Sequence, residues 1–273
     1  MCRWLAYSGA PIFLDEVLFK TDHSLIDQSL HASDPLSTTN GDGFGIGWYG
    51  QREVPGVYKD IRPAWNDWNL QALATQIESR MFMAHVRATT GSPVQRTNCH
   101  PFSYENWLFL HNGLVNEYDL LRRDLLLGIS PDLFSSIHGT TDSELLFMLA
   151  LTFGMTSDVK AGLERMAGFV EDAATRHGVD EALQMTLGVS DGESLFAVRY
   201  STRGESRSLY YSASREATMD IAPDAGRFSR DARAIVSEPL SNLEDEWVPV
   251  PEASFIEITH GDVKCEPFAP IAP

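Results

Sequence analysis

The second residue of the chain, Cys2, has the side chain with the most direct route to nucleophilic chemistry. Methionine aminopeptidases remove Met1 when the second residue is small, and cysteine qualifies. Cys2 would then carry both a thiol and the α-amino group of the chain, whose ordinary pKa is about 7.7–8.0. An amine of that basicity beside the thiol can accept its proton near pH 7. The alternative is that Cys2 is a buried, small apolar residue at the start of a strand.

The segment His85–Gly91 offers a candidate anion-binding site after the apolar residues Met81–Ala84. Arg87 lies at the predicted end of this strand, and its planar guanidinium can bind a carboxylate through two parallel hydrogen bonds. The alternative interpretation is a strand that runs into an ordinary polar turn. The residue types alone leave both interpretations open.

A third candidate is the dipeptide Asn112-Gly113, which follows an apolar strand that begins at Leu108. Asn-Gly favours the type I′ turn, so in one interpretation the dipeptide predicts a β-hairpin. In the other, the Asn112 amide and the Gly113 backbone N–H form an oxyanion hole, which stabilises the negative charge of a tetrahedral intermediate. Both interpretations stay open at this point.

A helix start is predicted at Thr141, which is followed three residues later by Glu144 and then by an apolar run. This spacing is typical of a capping box, and capping is sufficient to explain both residues. Asp142, between them, has a second possible role, because its carboxylate can reach an ammonium group at the start of the helix.

Two glycine patterns match known motifs without the structural context that those motifs require. Gly45–Gly50 matches GxGxxG, but the sequence that follows, up to Pro55, does not predict the necessary helix. Gly188–Gly192 matches the nucleophile elbow of serine hydrolases, which needs a helix after the turn, whereas Ser194–Tyr200 predicts a strand. Ser190 is therefore predicted in a hairpin turn.

The elements that position these residues follow a strand–helix–strand order along one predicted domain, residues 1–273. Apolar residues three and four positions apart predict three helices in the middle of the chain, at Glu117–Leu127, Asp142–Phe153 and Val159–His177. Before them the sequence predicts mostly strands and turns, with strands at Arg3–Ser8, Gly45–Tyr49, Met81–Val86 and Trp107–Leu110. After them it predicts strands at Gln184–Val189, Ser194–Tyr200, Ser208–Ser212, Arg233–Val236 and Ser254–Thr259. This order favours packed sheets with helices outside.

The charge of the 273-residue chain argues against several classes of partner. Lys and Arg number 21 against 38 Asp and Glu, which gives a formal net charge of −17. Duplex nucleic acid and anionic membranes bind clusters of Lys and Arg, and this sequence has no such cluster. We therefore predict no nucleic acid and no membrane as partner.

Cysteine and histidine usage bears on the compartment and the cofactors. The 3 cysteines are too few for a disulfide framework, and none forms a CxxC pair. The first residues also lack the pattern of a signal peptide, so we predict a reduced, cytoplasmic protein. The 8 histidines have no metal-ligand spacing, and we predict neither a metal nor another cofactor.

A set of ordered motifs carries a likeness to a known family: Cys2, Asp42–Ile46, His85–Thr90, Asn98–Pro101, His111–Gly113 and Thr141–Glu144. Together they resemble the class II glutamine amidotransferases, which are N-terminal-nucleophile (Ntn) hydrolases. The later segments Val236–Leu240 and Trp247–Pro251 resemble the small stand-alone members, so the likeness covers the whole chain. The resemblance implies an α+β fold, a four-layer αββα sandwich of two packed, mainly antiparallel sheets flanked by helices.

The resemblance implies a catalytic role for three residues. Cys2 resembles the nucleophile, with its α-amine as the general base, and Asn112 and Gly113 resemble the oxyanion hole. The implied reaction is thiolate attack on the carboxamide of glutamine, release of ammonia, and hydrolysis of the glutamyl thioester to glutamate.

Three further positions resemble the residues that bind the amino-acid head of glutamine. Arg87, with Thr90 nearby, resembles the group that binds the α-carboxylate, and Asp142 resembles the partner of the α-ammonium. The charges of Arg87 and Asp142 agree with these roles, because the zwitterionic head of glutamine needs one fixed cation for its carboxylate and one fixed anion for its ammonium group.

The sequence departs from the large synthases of the family at Arg3, Thr39 and Gly91, and we find no second domain that would use the ammonia. The leading hypothesis is a glutaminase-type amidotransferase whose ammonia acceptor lies on a separate synthase subunit. The second is a γ-glutamyl amide hydrolase with the same machinery. The third is a catalytically silent binding module on the same fold.

Overall fold

The computed structural model describes residues 2–30, 39–89, 91–213, 229, 231–242 and 244–273. Its helices are α1 (Asp15–Leu18), α2 (Leu25–Leu30), α3 (Trp68–Ala74), α4 (Tyr118–Gly128), α5 (Asp142–Thr152) and α6 (Val159–Arg176). Its strands are β1 (Arg3–Phe13), β2 (Phe44–Trp48), β3 (Gly56–Asp60), β4 (Glu78–Val86), β5 (Phe102–Tyr104), β6 (Trp107–Val115), β7 (Leu183–Ser190), β8 (Ser194–Ser201), β9 (Tyr210–Ser212), β10 (Arg233–Val236), β11 (Trp247–Pro249), β12 (Ser254–Thr259) and β13 (Asp262–Pro267). No helix in the described part of the chain is both long enough and apolar enough to cross a lipid bilayer.

The strands form two sheets in which paired neighbours run antiparallel. The first sheet has the order β11-β9-β10-β1-β4-β2-β3, and the second has the order β13-β12-β8-β7-β6-β5. In the first sheet the start of β1 pairs with the end of β4, so that Arg3 lies opposite Val86. Residue 2 is therefore held near the middle of this sheet, beside the residues that follow β4.

A core of apolar side chains joins the two sheets face to face. Trp4 of β1 and Met83 of β4 belong to one buried cluster with Leu108 and Leu110 of β6. Alternate residues of the same strands point to the opposite face, as the two-residue period of a strand requires. The same alternation determines which polar residues face each other at the strand ends.

Helices cover the outer face of each sheet. Helices α1, α2 and α3 pack on the first sheet through Leu18, Leu25 and Leu70, and α4, α5 and α6 pack on the second. Helix α5 is apolar on nearly every side, and all of Leu145–Leu151 is buried because α4, α6 and β6 surround it. The layers run helix–sheet–sheet–helix, which is the αββα sandwich that the resemblance implied.

The strands and helices predicted from periodicity are confirmed, with most ends within a few residues of the predicted ones. Strand β1 is longer than predicted and continues to Phe13. The prediction of mostly strands and turns before residue 115 is wrong for α1, α2 and α3. These helices have 4, 6 and 7 residues, too few for a 3.6-residue period to stand out in the sequence.

The dipeptide Asn112-Gly113 lies inside β6, so the hairpin interpretation is wrong. Both residues pair with β7, Asn112 opposite Thr186 and Gly113 opposite Met185. Pairing with a central neighbour overrides the local preference of Asn-Gly for a turn. The turn predicted after Ser190 is confirmed, because β7 and β8 form a hairpin there.

Candidate active site

A cleft of about 600 Å³ opens beside the start of β1, the end of β4 and the end of β6. Cys2, Arg87, Gly113 and Asp142 all line it. Antiparallel pairing brings the first two together, because β1 begins where β4 ends. A second cleft of about 600 Å³, near Arg80 at the other end of β4, is lined by none of these four residues.

The Cys2 thiol lies half-buried in the wall of the cleft. Its Sγ atom is 3.3 Å from the backbone nitrogen of Ala88 and 3.3 Å from the backbone oxygen of the same residue. Burial raises the pKa of the thiol, and the N–H of Ala88 and the charge of Arg87 oppose that rise to a smaller degree. The thiol is therefore protonated at neutral pH and needs a base to become a nucleophile.

The side-chain amide of Asn112 is buried between Cys2 and His85. Its Nδ2 atom donates to the backbone oxygen of Cys2 at 2.8 Å, and its Oδ1 atom lies 3.0 Å from Nε2 of His85. The amide thus joins β6 of the second sheet to the start of β1 and to β4 of the first. Because Nδ2 carries two hydrogens, it can serve an acceptor in addition to Cys2.

Gly113 follows on β6 and contributes backbone to the wall of the cleft. Its φ is +153°, and a Cβ atom at this position would come within 1.8 Å of the backbone oxygen of Gln184. Glycine is therefore the residue that this part of the strand accommodates.

The guanidinium of Arg87 is directed at the loop that follows it. Its Nη2 atom donates to Oγ of Ser92 at 2.6 Å, to Oγ1 of Thr89 at 3.3 Å and to the backbone oxygen of Pro93 at 3.3 Å. Arg87 is only 4% exposed, so its charge lies in the wall of the cleft and not in open solvent. Thr90, expected to lie near it, is outside the described residues.

The carboxylate of Asp142 is fixed at the first residue of α5. Its Oδ2 atom accepts from the backbone N–H of Val115 at 2.9 Å, and its Oδ1 atom accepts from that of Ser143 at 2.8 Å. The helix dipole also favours a negative charge at this end. Oδ1 also accepts from Oγ of Ser143 at 3.3 Å. Oδ2 keeps a further lone pair, so the carboxylate can also accept from a cation in the cleft.

Only one of the two hydrogen bonds of a capping box forms at the start of α5. Oγ1 of Thr141 accepts the backbone N–H of Glu144 at 3.3 Å, as predicted. The carboxylate of Glu144 instead accepts from the backbone N–H groups of His138 and Gly139, at 2.8 and 2.7 Å. The reciprocal half of the predicted capping box is therefore wrong, because Glu144 binds the preceding loop.

Comparison with known proteins adds a decisive match over most of the sequence. The family described as "Glutamine amidotransferases class-II" matches residues 18–270. The chain belongs to this family.

Relatives from several organisms match nearly the whole chain. The "Probable glutamine amidotransferase DUG3" of Saccharomyces cerevisiae is 32% identical over an alignment of 303 residues, covering 98% of this chain and 84% of that protein. The "Gamma-glutamyl-hercynylcysteine sulfoxide hydrolase" of Mycolicibacterium smegmatis is 24% identical over 270 residues, covering 98% of this chain and 100% of that protein. The solved structure of a glutamine aminotransferase class-II domain protein from Silicibacter pomeroyi has a TM-score of 0.77 at 31% identity, with 99% of this chain and 100% of that chain covered.

Three buried histidines lie in or behind the wall of the cleft, and the sequence alone indicates no role for them. Burial lowers the pKa of His85, His100 and His111, that of His85 to about 3. The rings of His85 and His100 lie 4.3 Å apart, measured between centroids. Nδ1 of His111 lies 2.8 Å from Oγ of Ser143. All three rings are neutral at physiological pH.

An ion pair between Arg3 and Glu238, beside Cys2, was also not predicted from the sequence. Nη1 of Arg3 donates to the backbone oxygen of Cys2 at 3.2 Å, and Nη2 lies 2.7 Å from Oε1 of Glu238. The backbone N–H of Trp4 donates to Oγ of Ser237 at 3.0 Å. Spacing in the sequence gives no means of predicting contacts between residues more than 200 positions apart.

The other two cysteines do not line the cleft. Cys99 is fully buried, and burial raises its pKa, whereas Cys265 is exposed. Within the described ranges, no group of three or more His, Cys, Asp and Glu is arranged to hold a metal ion. That the protein needs no metal stays a prediction.

Proposed function

We propose that the protein hydrolyses the side-chain amide of glutamine through a thioester on Cys2, releasing glutamate and ammonia. The observation that carries this proposal is that Cys2, Arg87, Gly113 and Asp142 line one cleft. These residues supply a nucleophile, a cation for a carboxylate, a backbone donor and an anion for an ammonium group. The proposal extends to a single domain over residues 1–273.

The proposed reaction begins when removal of Met1 frees the α-amine of Cys2. The neutral amine takes the proton of the thiol, whose pKa burial raises, and the thiolate attacks the amide carbon. When the tetrahedral intermediate collapses, the C–N bond breaks and the protonated amine gives its proton to the leaving nitrogen, which departs as ammonia. Water then attacks the thioester, with the amine again as base, and releases glutamate and the thiol.

Two donors on β6 stabilise the oxyanion in this scheme. Asn112 uses one N–H of Nδ2 on the backbone oxygen of Cys2, and the second N–H serves the oxyanion. The backbone N–H of Gly113 is the other donor. Removing one such donor from an oxyanion hole typically costs about 2.7–4 kcal/mol of transition-state stabilisation.

Arg87 and Asp142 bind the two charges of the amino-acid head. The guanidinium of Arg87 has five N–H donors. The loop contacts to Thr89, Ser92 and Pro93 use those of Nη2, and Nη1 donates to the backbone oxygen of Asp42 at 3.4 Å. The carboxylate of Asp142 is held by two backbone N–H groups and offers the further lone pair of Oδ2 to the α-ammonium. Fixing both charges orients the carboxamide toward Cys2.

A second candidate function is the hydrolysis of a γ-glutamyl amide with a leaving group larger than ammonia. The relative from Mycolicibacterium smegmatis, which is named for such a hydrolysis, matches over its full length. A cleft of about 600 Å³ also lies within the size range of sites for ligands larger than an amino acid. The chemistry is the same up to collapse of the intermediate, where an amine leaves.

A catalytically silent binding module is the third candidate, and Met1 retained in the cellular protein would favour it. For the first candidate, we propose a separate synthase subunit as the acceptor of the ammonia. We also propose a reduced, cytoplasmic protein, since Cys2, Cys99 and Cys265 are free thiols.

The intact mass of protein isolated from cells, combined with activity assays, tests this proposal. We expect a mass without Met1, and release of glutamate that Cys2→Ala abolishes and Cys265→Ala leaves unchanged, because Cys265 is exposed and does not line the cleft. The ratio of rates on glutamine and on a γ-glutamyl anilide separates the first two candidates. Full turnover by protein that retains Met1 would contradict the N-terminal mechanism.

A further inference from the structure

His85 of β4 and Asn112 of β6 face each other across the space between the two sheets. His85 lies two residues after Met83, and Asn112 lies two residues after Leu110; both of these apolar residues are buried in the cluster between the sheets. The two-residue period therefore sends the imidazole and the amide into the same layer. They meet at the end of the sheets where the cleft opens.

The backbone oxygen of Cys2 determines how the Asn112 amide is oriented. This oxygen can only accept a hydrogen bond, so the amide atom 2.8 Å away is the Nδ2 donor. The Oδ1 atom then points at His85, whose Nε2 atom lies 3.0 Å away. Because Oδ1 also can only accept, Nε2 carries the proton and the ring is the Nε2–H tautomer.

The second ring nitrogen of His85 agrees with this tautomer. Nδ1 is buried and has no hydrogen-bond partner among the residues that the structure describes. Burying a ring nitrogen without a hydrogen-bond partner costs less free energy when the nitrogen carries only a lone pair than when it carries an N–H donor. Burial, in the first place, and the charge of Arg87 lower the pKa of the ring to about 3, so it stays neutral. Neither His85 nor Asn112 is among the residues that line the cleft, but Asn112 contacts Cys2, which does. His85 contacts Asn112 by the hydrogen bond from its Nε2 atom and His100, which also lines the cleft, by its ring.

We propose that His85 is a positioning residue that holds the Asn112 amide with its Nδ2 atom toward the oxyanion. This inference rests on the proposed function, in which Asn112 stabilises that oxyanion. Without the Nε2–H donor, only the bond to Cys2 opposes rotation of the amide. A rotated amide presents Oδ1, an acceptor, to the developing negative charge and raises the energy of the transition state.

Two substitutions of His85 separate the donor from the bulk of the ring. Leucine fills much of the space without a donor, whereas glutamine can place an N–H near the position of Nε2. We expect His85→Leu to lower kcat by about 10–100-fold with KM changed less than about twofold, since a supporting partner costs less than the oxyanion donor itself. His85→Gln should recover most of this loss.

A double-variant cycle tests whether His85 acts through Asn112. We expect His85→Leu to have no further effect on kcat in the Asn112→Ala background, because the amide that it positions is gone. Met83→Ala, on the same face of β4, is the matched control: it should lower thermal stability without lowering kcat. Equal, multiplying losses from His85→Leu and Asn112→Ala would overturn the positioning role.

Nitrogen NMR of the histidine-labelled wild-type protein tests the tautomer without any substitution. We expect the proton of His85 on Nε2, and a ring that does not titrate between pH 5 and pH 8. An Nδ1–H tautomer would overturn the inference even if His85→Leu failed to fold. Unchanged kcat in Asn112→Ala would instead overturn the oxyanion assignment of the proposed function, and the inference with it.

Discussion

At the scale of single residues, Arg87 combines a buried charge with hydrogen bonds from its Nη2 atom to the loop at Thr89–Pro93. Lysine at this position keeps a positive charge but loses the fork that matches a carboxylate. We expect Arg87→Lys to raise KM, at a cost of about 1.5–3 kcal/mol in binding, with kcat little changed. Steady-state kinetics of Arg87→Lys on glutamine and on a γ-glutamyl anilide measure both KM and kcat.

The control for Arg87→Lys is Arg80→Lys. Arg80 forms an exposed ion pair with Glu193 at 2.6 Å, in the second cleft at the other end of β4. Its kinetics should equal those of the wild type. A fall in kcat at unchanged KM in Arg87→Lys would mean that Arg87 acts on the transition state and not on the substrate head.

Asn112 is expected to give the opposite kinetic pattern. Its Nδ2 donor acts on charge that exists only in the transition state, so Asn112→Ala should lower kcat by about 10²–10³-fold with a small effect on KM. Asn106→Ala is the control, because that amide donates to the backbone oxygen of Asp191 in the second cleft. An increase in KM alone in Asn112→Ala would place Asn112 in substrate binding.

From the sequence we could select candidate site residues by the chemistry of their side chains, and the structure places Cys2, Arg87 and Asp142 in the lining of one cleft. The residues that contact these candidates could not be selected in this way. Cys2, Arg87 and Asp142 could be selected because a thiol, a guanidinium and a carboxylate each have a distinct role in hydrolysing an amino-acid amide. Arg3 could not be paired with Glu238, because their contact depends on β1 lying beside β10. Such pairings are set by sheet topology and leave no local pattern.

At the scale of elements, the close pairing of β6 with β7 accounts for the glycine at position 113. A Cβ atom there would come within 1.8 Å of the backbone oxygen of Gln184. We expect Gly113→Ala to move the strands apart, with a loss of stability of at least about 1–3 kcal/mol and a large loss of kcat. Chemical unfolding and steady-state kinetics measure the two effects.

The control for this substitution is Gly50→Ala, since a Cβ atom at Gly50 would meet no other atom within 4 Å. This variant should keep the stability and the activity of the wild type. Full activity in Gly113→Ala would mean that the end of β6 tolerates a shift and that its backbone does not take part in catalysis.

Element length explains which parts of the fold the sequence could predict. Helix α5 is 11 residues long and apolar on all sides, and α6 has 18 residues with an apolar face, so both give clear patterns. Strands β5 and β11, which the sequence did not predict, have 3 residues each, and their hydrogen-bonded neighbours, not their own residues, make them strands. The short strands therefore form only when the neighbouring strands of the sheet are in place, and the local sequence does not predict them.

At the scale of the whole molecule, the groups that titrate in the cleft predict a pH profile. Burial raises the pKa of the Cys2 thiol and lowers the pKa values of His85, His100 and His111. The histidines therefore stay neutral at pH 7 and above and cannot limit the rate there. We expect kcat/KM to rise with pH through an apparent pKa near that of the α-amine, about 7.7–8.0, which must be neutral to accept the proton.

That apparent pKa belongs to the pair of amine and thiol. A chain with an unremovable residue before Cys2 should fold and lose this titration together with nearly all turnover. An unchanged profile in the blocked chain would contradict an N-terminal base.

The pairing of β1 with β10 has a consequence for how the chain is made. Leu5 pairs with Val236, more than 200 positions later, so the first strand cannot complete its sheet until the last part of the chain has been synthesised. At about 5–20 residues per second a ribosome needs about 12–46 s for that stretch. During this time the first residues remain open to processing enzymes, and such distant pairing also makes folding slow. If the α-amine of Cys2 is the base, as we propose, removal of Met1 can therefore precede assembly of the cleft, which is the order that the proposed activity requires.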